Sequence, residues 1–231
     1  MWDSTSAETL QLSIRVSVVA TLTIVLVGSP LALWMARRRS VMSRFLESAL
    51  SLPLVVPPVL TGYLLLLILS PRSLLGRWLE SLGLRFALDW KGAVVASAAL
   101  AFPLFLAVAR VAFEKCDRKL EDAAKTLNAR PGRVLFTITL PLALPGLLAA
   151  AAVAFARAFG EFGATMMLAG NIPGQTRTVP QAIYTHLLAG REEQAWGLAL
   201  ISVAVGVGAM AIAQLLARPR VHPFVTKERD A

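Results

Sequence analysis

Long apolar runs alternate along this chain with short connectors that carry most of its charge. Five runs stand out: Leu12 to Ala36, Ser48 to Ser70, Gly92 to Ala109, Leu142 to Leu168 and Ala195 to Ala217. Each has about the length that a helix needs to cross a hydrocarbon core of about 30 Å. The second, third and fifth contain no Lys, Arg, Asp or Glu, as expected where a charge at the helix centre costs about 2.5–3.5 kcal/mol on insertion. In the first, the uncharged stretch begins after Arg15, whereas the fourth carries Arg157 and Glu161 and needs a separate explanation. Lipid offers no water to backbone polar groups, so helices are the default. The pattern predicts an all-α integral membrane protein of about five transmembrane helices, forming one domain over residues 1–231. No internal repeat, low-complexity tract or linker is visible.

Composition agrees. Of 231 residues, 56% are hydrophobic and only 16% charged, against about a quarter charged in a soluble domain. The first run is preceded by Asp3 and Glu8 rather than by a basic segment, and it exceeds the roughly 7–15 residues of a signal-peptide core. It is therefore expected to remain as a span. The tail after Ala217 is expected to be too short for a separate regulatory domain.

Five spans place the chain ends on opposite sides, and the basic residues choose between the two orientations. With the N-terminus outside, the inner segments hold 14 of the 23 Lys and Arg: Arg37, Arg38, Arg39 and Arg44, then Lys115, Arg118, Lys119, Lys125, Arg130 and Arg133, then Arg218, Arg220, Lys227 and Arg229. The outer segments hold 6, Arg72, Arg77, Arg85, Lys91, Arg177 and Arg191. The positive-inside rule then predicts N-terminus out and C-terminus cytoplasmic. The net charge of +9 becomes an orientation signal and a match to anionic headgroups, not a nucleic-acid footprint, for which no basic soluble face or arm exists.

The outer segments have structure of their own. Ser73 to Phe86 carries Leu74, Leu75, Trp78, Leu79 and Leu82 at helical spacing, with Arg77 and Glu80 toward water, and is expected to lie at the interface. Ala169 to Gln194 contains the turn signal Asn171-Ile172-Pro173-Gly174. Within the spans, Pro53, Pro57, Pro58 and Pro103 mark kinks or hinges, and Gly206 and Gly208 with Ala209 and Ala211 favour close packing.

The connector from Glu121 to Pro141, EDAAKTLNARPGRVLFTITLP, is polar and helix-forming, and it lies between two spans. Ala123, Ala124 and Leu127 form a flat apolar strip beside charged Glu121, Asp122, Lys125, Arg130 and Arg133, a surface suited to lying in a groove. A new membrane run is expected to begin at Ile138-Thr139-Leu140-Pro141.

That connector resembles the coupling segment of binding-protein-dependent ABC importer permeases, whose pattern is Glu-Ala-Ala, three residues, Gly, nine residues, Ile-x-Leu-Pro. Here it reads Asp122-Ala123-Ala124, three residues, Asn128, nine residues, then Ile138-Thr139-Leu140-Pro141. Asp keeps the carboxylate, and Asn tolerates the left-handed backbone that Gly provides. Glu121 and Asp122 are both candidates for the acidic role. Gly160-Glu161-Phe162-Gly163-Ala164-Thr165 and the stretch from Gly170 to Pro180, with Phe102-Pro103-Leu104 and Leu127-Asn128-Ala129, are similar to the molybdate branch of that family. The resemblance runs from about Leu10 to Ala217.

The resemblance implies the permease subunit of a molybdate importer in the cytoplasmic membrane of a prokaryote. Its partners would be a second copy of itself, two cytoplasmic ABC ATPases and an external binding protein that delivers the anion. Tungstate and sulfate are alternative cargoes. The chain has no G-x-x-x-x-G-K-[ST] segment, so ATP and Mg would be used by the ATPase and no cofactor is expected here. The coupling residues would be Glu121, Asp122, Ala123, Ala124, Leu127, Asn128, Ile138, Leu140 and Pro141.

Intramembrane ionisable residues tend to face a bundle interior or a water-filled path, so Arg157 and Glu161, four apart, are candidates either for the anion path or for a structural ion pair. Thr165 and Met166 are candidates for an outer gate or for core packing. A single cysteine, Cys116, gives no intrachain disulfide, and His186 and His222 make no metal or catalytic set. A self-sufficient ion-coupled transporter or channel would be expected to show related halves with broken helices, or an ion-binding carboxylate at mid-membrane. Neither is evident.

Overall fold

The computed structural model describes residues 4–38 and 40–217. Asp3, Arg39, Arg218, Arg220, His222, Lys227 and Arg229, on which part of the orientation and composition reading rests, lie outside the described residues. Among the described residues there are helices and no strands. The helices are α1 (Ser4–Arg37), α2 (Val41–Val55), α3 (Pro58–Leu69), α4 (Leu74–Ser81), α5 (Trp90–Glu114), α6 (Arg118–Thr126), α7 (Pro131–Val134), α8 (Leu140–Phe159), α9 (Gly163–Leu168), α10 (Val179–Leu188) and α11 (Glu192–Ala217). A π-helical turn, Leu135–Thr139, joins α7 to α8.

The centre of the bundle is α5, packed against α1 and α8. Its buried residues are mostly small, with Ala93, Ala96, Ala101 and Ala109 spaced along it and Leu100, Phe105 and Phe113 filling the gaps. Ala20, Ala32 and Ala36 of α1 and Ala143, Ala150, Ala154 and Ala158 of α8 complete this core. Water gives no hydrophobic drive between helices inside lipid, so small residues that let backbones approach supply the packing. Gly146 shows how close that approach is, because a Cβ there would lie 2.4 Å from Cβ of Ala112. The outward surfaces remain apolar, with Leu22, Leu26 and Val27 of α1 and Leu200, Val203 and Val207 of α11 exposed. Such faces suit hydrocarbon, not water.

The first, third and fifth runs become α1, α5 and α11, each extended beyond the apolar stretch at one or both ends. The 34 residues of α1 reach about 51 Å at 1.5 Å per residue, so this helix tilts or projects beyond the hydrocarbon. Arg15 is accommodated by stacking over Trp90, with 3.9 Å from its guanidinium carbon to the ring centroid.

The second run, Ser48 to Ser70, is not one straight span. It becomes α2 and α3, bent by 110° at the break. Proline has no N–H and pushes the residue before it into extended backbone. Val56 (ψ 136°) and Pro57 (ψ 132°) accordingly leave the helix, and Pro58 starts the next one at its first position. Pro53 stays inside α2. Neither half reaches about 30 Å alone, so among the described residues four helices are long and apolar enough to cross, five if the bent pair counts as one span.

The fourth run is displaced in the opposite direction. The continuous apolar helix spans Pro131–Phe159, so it starts before the expected Ile138–Pro141 entry and ends before Leu168. Arg130 is extended and Pro131 opens the helix at its first turn. Pro141, inside the helix, can donate no hydrogen bond to the carbonyl four residues back, and the preceding turn widens to π geometry, with Leu140 N–H bonded to the Leu135 carbonyl. At the other end Gly160 caps α8, and residues 163–168 form the separate α9.

α3 rests on α9 where side chains are smallest. A Cβ on Gly62 would lie 2.6 Å from the backbone of Ala164, and one on Gly163 would lie 3.2 Å from Cβ of Pro58. The short α4 is capped by Ser73, whose Oγ accepts the Gly76 N–H at 2.8 Å. It exposes Leu74, Leu75 and Trp78, with Leu82 following, as an interfacial helix does, but it ends at Ser81 rather than Phe86.

Backbone atoms cannot retreat from a new methyl, so Gly62→Val is expected to cost about 1–3 kcal/mol, the usual penalty for overpacking. Gly197, where an added Cβ would meet nothing within 4 Å, is the comparison, and Gly197→Ala is expected to raise stability by up to about 1 kcal/mol, as alanine replaces a glycine inside a helix. Thermal unfolding of the detergent-solubilised protein measures both.

Candidate functional site

Two groups of residues singled out in the sequence lie at opposite ends of α8. At its start, α6 is capped by Asp117, whose carboxylate accepts the Lys119 N–H at 2.9 Å. It closes on Asn128, a non-glycine residue at φ 58°, as the substitution of Asn for Gly implied. The Asn128 N–H bonds the Lys125 carbonyl at 2.9 Å and the Ala129 N–H bonds the Ala124 carbonyl at 3.1 Å, which satisfies the helix end.

The two adjacent carboxylates take different directions. Asp122 faces solvent and accepts from Lys125 Nζ at 2.8 Å. That hydrogen bond holds its carboxyl below the usual carboxylate range, so it stays ionised well below neutral pH. Glu121 turns inward and is only 9% exposed. Its Oε1 accepts from the Arg37 guanidinium at the end of α1 and from Thr139 Oγ1 at 2.7 Å. Arg118 adds a second link to α1, donating to the Ala36 carbonyl at 3.3 Å.

The apolar strip is present with one change of membership. Ala123 and Leu127 are exposed, Leu127 by 84%, and Leu120 joins them, while Ala124 is half-buried. Ile138 lies in the π turn, and Leu140 and Pro141 lie in the first turn of α8. Leu140 packs on the main core. The motif therefore divides into an outward face, Asp122, Ala123 and Leu127, and a framework that sets its position. Arg37 and Thr139 belong to that framework. Arg37 read only as an orientation charge, and nothing in the sequence ties it to a residue 84 positions away. Cys116 Sγ lies beside the same junction, 3.7 Å from the Thr139 carbonyl, and burial pushes its thiol pKa up, which suits an unreactive thiol.

At the far end of α8, Arg157 Nη1 and Glu161 Oε2 are 2.7 Å apart. They meet across a helix end rather than along one helix, because α8 stops at Phe159. Glu161 is 2% exposed, and its Oε1 accepts the Ala164 N–H at 2.8 Å. One carboxylate thus joins the last turn of α8 to the first turn of α9, beside the contact of α9 with α3. Arg157 keeps 29% of its side chain exposed.

Thr165 is fully buried. Its hydroxyl donates to the Phe162 carbonyl at 2.9 Å and lies 3.4 Å from Gln181 Nε2, which also donates to the Gly170 carbonyl at 3.0 Å. Met166 is half-buried. The signal for Gln181 is the Thr178-x-x-Gln181 capping box that opens α10; this buried amide, whose Oε1 accepts the Thr178 N–H at 2.9 Å, binds α9, the 170–178 turn and α10 together. Ser13 Oγ accepts the Val179 N–H at 2.7 Å and fixes α10 to α1. Arg177 Nε donates to Asn171 Oδ1 at 2.7 Å. The stretch from Gly160 to Pro180 is thus one cross-braced unit.

The model of the family described as "Binding-protein-dependent transport system inner membrane component" matches residues 28–221. The chain belongs to this family. It is 46% identical over 209 residues to the "Molybdenum transport system permease protein ModB" of Escherichia coli, covering 90% of this chain and 91% of that one. It is 42% identical over 219 residues to the protein of the same name from Haemophilus influenzae, covering 92% and 93%. With the "Putative molybdenum transport system permease protein YvgM" of Bacillus subtilis it shares 38% over 195 residues, covering 84% and 86%.

Solved structures agree on the fold. A chain of a bacterial ABC transporter involved in the import of alginate matches with a TM-score of 0.71 at 16% identity, over 94% of this chain and 82% of that one. A chain of the MetNI methionine ABC transporter, in an inward facing conformation, matches with 0.65 at 16%, over 92% and 96%. The family and the apolar helices together make this a multi-pass protein of the prokaryotic inner membrane. Its relatives are permease subunits, which are not catalytic.

Removing Arg157 would leave a buried carboxylate short of its cation. Arg157→Leu is expected to destabilise the protein by roughly 2–3 kcal/mol, somewhat under the range for a fully buried pair, since the arginine is partly exposed. Arg157→Leu with Glu161→Gln is expected to recover much of the loss, as measured by denaturant unfolding.

Proposed function

We propose that this chain is the permease subunit of an ATP-driven molybdate importer. The single observation that carries the reading is the 46% identity, over nine-tenths of the chain, with a molybdenum transport permease. The fold adds a physical reason, because α6 and its cap expose Leu120, Ala123 and Leu127 beside Asp122 at the end of the bundle where the basic residues gather. Arg37, Lys115, Arg118, Lys119, Lys125, Arg130 and Arg133 all lie at that end, which is the cytoplasmic one by the positive-inside rule.

The chain works with a cytoplasmic ATPase that binds ATP and Mg, and α6 seats in a groove of that partner. Five crossing elements are few to enclose a path for a dianion. Two copies about a two-fold axis place the path between them, with one ATPase beneath each and an external binding protein at the opposite end. Closure of the ATPases on ATP moves α6, and the bundle alternates between outward and inward access. Arg157 supplies positive charge to the anion in a region of low dielectric, and Glu161 neutralises Arg157 when the path is empty. Thr165, whose hydroxyl lies 3.3 Å from the Glu161 carbonyl, braces that turn from the core, and Met166 contributes to the outer gate.

Asp122→Lys with Ala123→Asp puts a cation at position 122 and a charge in the apolar face of α6 without touching a buried residue. This variant is expected to lose co-purification with the ATPase while the isolated protein unfolds at the wild-type temperature; retained association would overturn the docking role. Labelled molybdate uptake by the intact complex is expected to be suppressed more strongly by tungstate than by sulfate. The reverse order would reassign the cargo to sulfate. Arg157→Leu with Glu161→Gln, in which no buried charge is left unpaired, is expected to reduce uptake without releasing the ATPase.

A further inference from the structure

α6 is almost entirely a surface element. Among its nine residues, Glu121 alone is buried, and the apolar side chains that would normally seat a helix, Leu120 and the neighbouring Leu127, point away from the bundle. A helix held by hydrophobic contacts transmits a push over its whole face. This helix instead grips the bundle through one carboxylate, the Arg118 contact to the Ala36 carbonyl and the two connectors at its ends.

The partners of that carboxylate matter more than their number. Arg37 is the last residue of α1 and Thr139 is the last residue of the π turn, so Oε1 of Glu121 joins two of the longest helices to α6 at one atom. A carboxylate drawn out of water is costly unless it is paired, so the junction resists opening, and a displaced α6 carries Arg37 and Thr139 with it. The π turn is the irregular point in the backbone ladder that leads into α8, just ahead of Pro141. Along α8, twenty residues from Leu140, lies Gly160, next to the Arg157–Glu161 pair.

We propose that Glu121 is the residue through which motion of α6 reaches the membrane bundle, whereas its neighbour Asp122 faces the ATPase. Glu121 is thus a positioning residue, acting on the path through Arg37 and Thr139. This inference rests on the permease reading given above. It separates two roles that the adjacent acidic pair leaves merged: loss of Asp122 breaks docking, and loss of Glu121 breaks transmission.

The test uses the complete complex in proteoliposomes, with the ATPase, the binding protein and labelled molybdate, and compares wild type with Glu121→Gln, Glu121→Ala and Thr139→Val. Glu121→Gln keeps the shape and an acceptor oxygen, and Thr139→Val removes only the hydroxyl, so neither depends on tolerance of a cavity. All three are expected to retain the ATPase and continue to hydrolyse ATP, while molybdate carried per ATP falls by about tenfold in Glu121→Ala, within the range seen when a coupling element is altered. Glu121→Ala with Thr139→Val is expected to fall no further than Glu121→Ala, since both open the same junction.

A second readout does not depend on cargo. A spin label at Leu188→Cys, exposed at the end of α10, in a Cys116→Ser background, reports the distance between the two copies. ATP is expected to change that distance in wild type and not in Glu121→Ala. Unchanged molybdate per ATP and an unchanged label response in the Glu121 variants would overturn the inference, as would loss of ATPase binding in Glu121→Gln. A wild-type complex that hydrolyses ATP and moves the label but imports no molybdate would overturn the cargo alone. A wild-type chain that never binds the ATPase would overturn both.

Discussion

A hydrocarbon layer provides no hydrogen bonds, so every departure from a straight helix in this protein has to be compensated from within. That constraint accounts for the long helices α1, α5 and α11, whose backbones satisfy themselves, and for the small residues that let them approach where apolar surface gains nothing from being hidden. It also explains why the irregular features are few and concentrated. The chain breaks at Val56–Pro57, widens at Leu135–Thr139 and stops at Gly160, and the latter two are bound to a buried carboxylate within a few residues.

The two carboxylates have parallel construction. Glu121 joins the end of α1 to the start of α8, and Glu161 joins the end of α8 to the start of α9. Each accepts from an arginine and from one further donor, a hydroxyl in the first case and a backbone N–H in the second. Each holds together segments that apolar contact alone would leave loosely related. The helix between them, with its π turn and Pro141, is the direct route from the exposed face of α6 to the contact of α9 with α3. In a transporter whose energy is released on one side and whose cargo waits on the other, such a route has an evident use.

The sequence made much of this visible, and the reasons for the rest are physical. Uninterrupted apolar runs located α1, α5 and α11, and the mild replacement of Gly by Asn at position 128 foretold its left-handed backbone. Of the apolar strip Ala123, Ala124 and Leu127 that helical spacing predicted, Ala123 and Leu127 are exposed and Ala124 is half-buried. Hydropathy could not reveal that the second run bends by 110°, because prolines show where a helix is weakened and not where its continuation packs. It also placed the fourth span too late, since Pro131 reads as a loop residue although it is well suited to the first turn of a helix. The pairing of Arg157 with Glu161 was legible from spacing, but not its passage across a helix end. The inward turn of Glu121 was not legible at all, because it depends on Arg37, which only the fold brings from the end of α1 to the junction of α6 with the start of α8.

The central claim is that this chain passes an oxyanion only when an ATPase acts on α6. The most direct measurement is uptake of labelled molybdate by proteoliposomes containing this chain, with the ATPase, the binding protein and ATP each omitted in turn. The account predicts accumulation only when all three are present. Transport by the chain alone, driven by an ion gradient, would contradict it.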